Sequence, residues 1–129
     1  SNTNVFPVEI KSLSRELVNK KGKKIYAIVA DQSPTLEQSN VRINFLNRDT
    51  LVYTGVEKIS KKYNMPVFYL NIKLTSKGYY ESTFEEINSK NINGKKLEIT
   101  KEFFSKLENQ IKSEPRLWLW SHKRWKHTN

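Results

Sequence analysis

Apolar positions along the chain fall into a few clear periodicities. Ile10, Leu13 and Leu17 recur at helical spacing and Gly22 follows as a stop signal, so a first helix is predicted over residues 8–20. Lys24-Ile25-Tyr26-Ala27-Ile28-Val29-Ala30 is an apolar run closed by Asp31. It lacks polar alternation, which predicts a strand covered on both faces. Residues 32–49 read as a long loop holding Ser33-Pro34 and one apolar knot, Ile43-Asn44-Phe45-Leu46. Asp49 or Thr50 can cap a second helix with Val52, Val56, Ile59 and Tyr63 on one stripe, Glu57 and Lys61 paired outside, and Asn64-Met65-Pro66 as its end.

The second half is read in the same way. Residues 67–74 form a strand, Thr75-Ser76-Lys77-Gly78 turn it, and residues 79–84 return antiparallel. Residues 88–98 are polar and read as a loop. Thr100 then caps a last helix that turns Phe103, Phe104, Leu107 and Ile111 inward and stops at Pro115. Strand, helix and strand between residues 24 and 74 predict a βαβ unit in an α/β fold, with flanking helices and a hairpin. Ligands of such units sit at the C-terminal ends of the strands, which points to Asp31 and the loop after it.

Composition narrows the classes. At 129 residues the chain is long enough for one domain with a real core, and 12% aromatic content makes that core ring-rich and argues against disorder. The 23 basic and 13 acidic residues give a formal charge of +10, which favours polyanionic partners without choosing among them. With no cysteine, disulfides, thiolate zinc sites and a cysteine nucleophile are excluded, which fits a reducing compartment. No apolar run approaches the ~20 residues that span a bilayer, and neither end carries a signal-peptide pattern. The opening Ser1-Asn2 resembles a tag remnant, with residues 1–6 linker-like, so a piece excised from a larger protein is expected.

Few residues propose chemistry by themselves. Four unclustered glycines give no phosphate cradle, and His122 and His127 lie near no carboxylate in sequence, so no metal site or cofactor is expected. Asp31, after an apolar run, can hold a base, a ligand hydroxyl or an arginine, or can simply cap the turn fixed by Pro34. Arg48, beside a predicted helix start, can hold an anion through guanidinium and helix dipole together, or form a surface pair with Asp49.

The densest signal is residues 114–126, which carry all three tryptophans (Trp118, Trp120, Trp125), four basic side chains and His122. Indoles interleaved with cations suit a surface that is apolar on one side and anionic on the other: lipid headgroups, a phosphorylated glycolipid, or a nucleic acid. They equally suit a segment docked on its own core. At least one tryptophan is expected in the core, because strand-like alternation would bury alternate members of Trp118, Trp120 and His122, and Trp120→Ala should cost ~3 kcal/mol or more if its ring is a core one.

Ala30 to Pro34, Phe45-Leu46-Asn47-Arg48-Asp49-Thr50, Gly55 to Ile59, Pro66-Val67, Gly78-Tyr79-Tyr80 and the closing Trp118 to Lys126 occur in one order. That order resembles the C-terminal half of the late lipid A biosynthesis acyltransferases (lauroyl and myristoyl transferases) in their Bacteroidetes style, over residues 8–127. The resemblance implies part of a glycerol-phosphate-acyltransferase-like sheet. It implies transfer of an acyl chain from acyl carrier protein, or a similar thioester, to a hydroxyl of a lipid A precursor at the cytoplasmic face of the inner membrane. Family chemistry uses a His-x4-Asp/Glu dyad as general base. Here the fifth position after His122 is His127, so the dyad is missing and is expected upstream, in a longer parent. Carried onto this sequence, Asp31 and Gln32 match the site's edge, and Phe45, Asn47 and Arg48 belong to a loop near the acyl and acceptor pocket. Trp120, His122, Arg124 and Lys126 belong to the closing signature, where they neutralise lipid phosphates or support the site against an anionic membrane. A basic nucleic-acid-binding module is the alternative, although no RNP-type, zinc or helix-turn-helix signature supports it. Uncovered sheet edges and apolar faces make dimerisation of such a piece an expected hazard.

Overall fold

The computed structural model describes residues 6–8, 10–19, 22–87 and 96–127. The elements run α1 (Ile10–Val18), β1 (Arg42–Phe45), β2 (Arg48–Leu51), α2 (Gly55–Tyr63), β3 (Val67–Ser76), β4 (Tyr79–Ile87) and α3 (Glu98–Ser113), followed by a 3-10 turn at Pro115–Leu117. Helix and strand are mixed, as expected, but both sheets are two-stranded antiparallel pairs, β1 with β2 and β3 with β4.

No βαβ unit is present among the described residues, and this corrects the sequence reading. The apolar run Lys24–Ala30 forms no strand: Ile25 is 95% and Val29 69% exposed, and only Ala30 at its end is buried. Apolar side chains give a strand a face, but a ladder also needs a neighbouring backbone, and no described segment pairs with this one. The long loop is corrected too. Its apolar knot is β1, which pairs with β2 in the register Arg42 to Leu51 and Phe45 to Arg48. Leu46 and Asn47 close that hairpin with φ of 51° and 59°. Positive φ at both central residues matches the strand twist, and Leu46 is an unusual residue to adopt it. Its N–H donates to the Glu108 carboxylate at 3.0 Å, which helps hold the turn from α3. Asp49 and Thr50 are therefore strand residues, and the second helix starts later, at Gly55.

The stripe of α2 is displaced from the expected one: Glu57 and Ser60 are its buried residues, Val56, Ile59 and Tyr63 are half-buried, and Val52 lies before the helix. The Glu57–Lys61 pair forms at 2.6 Å, and Asn64 ends α2 in the left-handed conformation with its N–H returned to Ser60. In α3, Phe104, Leu107 and Ile111 are buried and Phe103 half-buried, and the helix ends just before Pro115. Thr100 lies inside its first turn rather than capping it. Its N–H and hydroxyl both donate to Glu57 Oε2, at 3.2 and 2.8 Å. A carboxylate from α2 thus satisfies an unbonded N–H of α3 where the helix dipole favours negative charge.

The core gathers Phe45, Val52, Tyr69, Ile87, Ile99, Phe104, Leu107 and Ile111. Phe45 is at its centre and fully buried. Phe104 meets it edge-on at 5.1 Å, and Trp118 and Trp125 stand at 6.2 and 6.3 Å. The β3–β4 hairpin lies on α3 through Tyr69, which contacts Phe103 and donates its hydroxyl to Gln110.

Candidate functional site

Three stretches distant in sequence converge: the segment after Ala30, the β1–β2 hairpin, and the C-terminal residues 118–127. Pro115 breaks α3, and the residues beyond it fold as successive turns, which lets indoles and cations point in different directions. The expected alternation is absent as a result. Trp118 and Trp125 pack against the core, whereas Trp120 is 58% exposed and donates its indole N–H to the Pro115 carbonyl at 2.8 Å. Trp118 and Trp125 are therefore the rings that meet the expectation of a core tryptophan, and Trp120 is a surface ring.

His122 holds the first stretch to the third. Its Nε2 accepts the backbone N–H of Ser33 at 3.1 Å. Ser33 and Pro34 are buried, Asp31 is half-buried at the rim, and Gln32 is exposed. Trp125 holds the second stretch to the third: its indole N–H donates to Thr50 Oγ1 at 2.9 Å, and Thr50 in turn donates to the Arg48 carbonyl at 2.8 Å. The Arg48 guanidinium covers the outer face of the Trp125 ring, 4.9 Å from its centroid. Arg42 adds a clamp, pairing with Asp49 at 2.8 Å and donating to the His127 carbonyl at 2.6 Å.

Arg124 departs most from what its residue type suggests. It is 2% exposed, and none of its three guanidinium nitrogens has a hydrogen-bond partner. Its guanidinium lies 5.6 Å from the Phe104 ring centroid. Burial pushes its pKa down to about 10, against the opposing pull of Asp31 and Tyr53. A buried guanidinium supports the packing of its surroundings but cannot meet a lipid phosphate at the surface. Arg48, Lys126 and Lys123 remain exposed, together with Trp120.

Of the sequence-predicted site residues, Phe45 is the centre of the core and Asn47 the exposed tip of its hairpin. The contacts draw Asp31, Arg48, His122 and Arg124 together, with Arg124 buried and His122 half-buried, whereas Gln32 and Lys126 are exposed neighbours of these residues in sequence. The buried members can order loops, and the exposed cations can bind anions. His122 already uses one ring nitrogen as an acceptor, and the Nε2 of His127 is buried away from solvent. No group of three metal-ligating side chains exists among the described residues.

One feature carried no sequence signal. A cavity of about 580 Å³ lies between the loop at 36–41, α2 and Leu97, with Lys58, Lys61, Lys96 and Glu57 in its wall. It includes none of the predicted site residues; Lys58 and Lys61 are one turn apart on α2, and chain folding adds Lys96.

The sequence model of the bacterial lipid A biosynthesis acyltransferases matches residues 2–127. No curated protein and no solved structure gives a match.

Proposed function

Because the chain belongs to the bacterial lipid A biosynthesis acyltransferase family, we propose that it forms the acceptor-binding and scaffolding part of an enzyme acylating a lipid A precursor. The donor is a fatty acyl thioester such as acyl carrier protein, and the reaction takes place at the cytoplasmic face of the inner membrane. The acceptor hydroxyl oxygen attacks the thioester carbonyl. An ester C–O bond forms, the C–S bond breaks, and the hydroxyl proton passes through a histidine base to the departing thiol.

That base lies outside this chain. The supporting observation is the Ser33 to His122 hydrogen bond, which occupies an imidazole nitrogen a base would need, while His127 stands where a partner carboxylate would be. What the chain supplies is a cationic rim. Arg48 is exposed and braced on Trp125, ready to fork onto a phosphate of the acceptor, and Lys126, the residue after Trp125, adds a second exposed charge. Exposed lysines give acidic acyl carrier protein a surface to meet. Among the described residues no helix is long and apolar enough to cross a membrane, so membrane contact by this part rests on exposed cations and on Trp120.

A nucleic-acid-binding role has less to work with. Two of the three indoles it needs as stacking platforms pack against Phe45.

The reading is tested by titrating the purified chain with a phosphorylated lipid A precursor and with its dephosphorylated form. Binding to the phosphorylated form, weakened about tenfold by Arg48→Ala, supports it. Equal affinity for both forms, or an Arg48→Ala variant that binds unchanged, would overturn it.

A further inference from the structure

The cavity between the 36–41 loop and α2 has no part in the chemistry described so far. At about 580 Å³ it falls within the ~300–1,000 Å³ range of ligand pockets, and it is far larger than a bare anion needs. Its wall is mixed. Leu36, Val41 and Leu97 supply apolar surface, and Thr54, buried just before α2, makes no capping bond with its side chain. Leu97 adopts φ of 67°, a left-handed conformation that is unfavourable for leucine, and strain of this kind gathers at ligand sites.

Charge in the wall is partly settled within the fold. Both carboxylate oxygens of Glu57 are engaged, Oε1 by Lys61 at 2.6 Å and Oε2 by the N–H and hydroxyl of Thr100. Lys58 and Lys96 are exposed, and neither has an ion-pair or hydrogen-bond partner among the described residues. Glu37 is the carboxylate that remains against them, so the wall keeps an excess of positive charge.

We propose that this cavity binds a phosphate ester, with the phosphate held by Lys58 and Lys96 and the organic body lying against Leu36, Val41 and Leu97. Charge complementarity selects the phosphate, because ammonium groups on flexible stems meet it as point charges. The volume and the apolar wall select an ester over a free ion. The reaction proposed above offers this chemistry from two sources: the phosphopantetheine arm of a carrier-bound acyl donor, and the sugar phosphate of the acceptor. The wall includes neither Arg48 nor Lys126, so the site is additional to the acceptor contact made by those residues.

Isothermal titration calorimetry of the purified chain at low salt tests this, with pantetheine 4′-phosphate, pantetheine, glucosamine 1-phosphate and inorganic phosphate as probes. One of the two esters should bind about tenfold more tightly than inorganic phosphate, and its identity names the source. Lys58→Ala and Lys96→Ala should each weaken that ester about tenfold, whereas Lys77→Ala, in the β3–β4 turn, should not. Both cavity lysines are exposed, so these variants should keep the wild-type circular dichroism. If neither ester binds more tightly than inorganic phosphate, the proposal fails. It fails equally if pantetheine binds as tightly as its phosphate, or if Lys77→Ala weakens binding as much as Lys58→Ala, since net charge alone would then be responsible. Loss of precursor binding in Arg48→Ala and loss of ester binding in Lys58→Ala are separate readouts, so either reading can fail alone.

Discussion

His122 reaches across 89 residues to accept the backbone N–H of Ser33 at 3.1 Å, and this single bond ties the C-terminal turns to the segment carrying Asp31 and Gln32. An imidazole so engaged is a strut. Removing it leaves a buried N–H unsatisfied, at a cost of about 1–3 kcal/mol. His122→Ala should lower urea stability by that amount, and His122→Gln, whose amide oxygen can accept the same bond, should recover part of it. Equal stability of His122→Ala and wild type would contradict the assignment.

Arg124 leads to the opposite sign. Its guanidinium is buried without a hydrogen bond, with the Phe104 ring 5.6 Å from it, so the charge is left without the partners that would offset its desolvation. Replacing such a charge by an apolar chain of similar volume is neutral or stabilising by about 1–4 kcal/mol. Arg124→Met should match or exceed wild type in thermal unfolding, whereas Arg124→Ala, which leaves a cavity, should fall below it. A large loss in Arg124→Met would show that the charge itself holds the fold.

Glu57 contributes to the loss of stability in acid. Burial raises its pKa, but Lys61 and Thr100 outweigh burial, and its carboxyl lies below the ordinary value of 4.5. A depressed carboxylate contributes stability above its unfolded pKa and loses it as pH falls through the folded one. Urea midpoints should therefore be flat near neutrality and drop below about pH 4.5. Glu57→Gln should be about 1–3 kcal/mol less stable near pH 7, with the gap closing in acid. A gap independent of pH would mean that the carboxylate charge is not the source.

The two C-terminal indoles should separate cleanly. Trp125→Ala removes a ring packed on Phe45 and bonded to Thr50, and should cost about 3 kcal/mol. Trp120→Ala removes an exposed ring and should stay within about 0.5 kcal/mol. Comparable losses for both would place Trp120 in the core after all.

How far the sequence was legible follows from what each signal depends on. Local periodicity gave α1, α3 and the β3–β4 hairpin, because each is encoded by residues a few positions apart, with Gly78 or Pro115 marking an end. The ordered motifs gave the family. Signals that need a distant partner misled. Residues 24–30 have the composition of a covered strand but no described backbone pairs with them, and Leu46-Asn47 turns a hairpin without the Asn-Gly pattern that announces one. Lys126 was readable as a cation of the closing tryptophan-rich segment, whereas Arg48, expected beside a helix start, opens β2 instead. The burial of Arg124 was not readable, because an arginine's place in the fold is set by where Phe104 and the 31–34 segment arrive. Nor was the Glu57 to Thr100 bond, which links two helices 43 residues apart.

The central claim is that this acyltransferase-family chain recognises substrate but carries no general base. An acyl-transfer assay of the purified chain, with acyl thioester donor and lipid A precursor, tests it most directly. No turnover above the uncatalysed rate, for wild type and His122→Gln alike, is the predicted result. Turnover by the wild type that His122→Gln abolishes would make His122 a catalytic base and contradict the account.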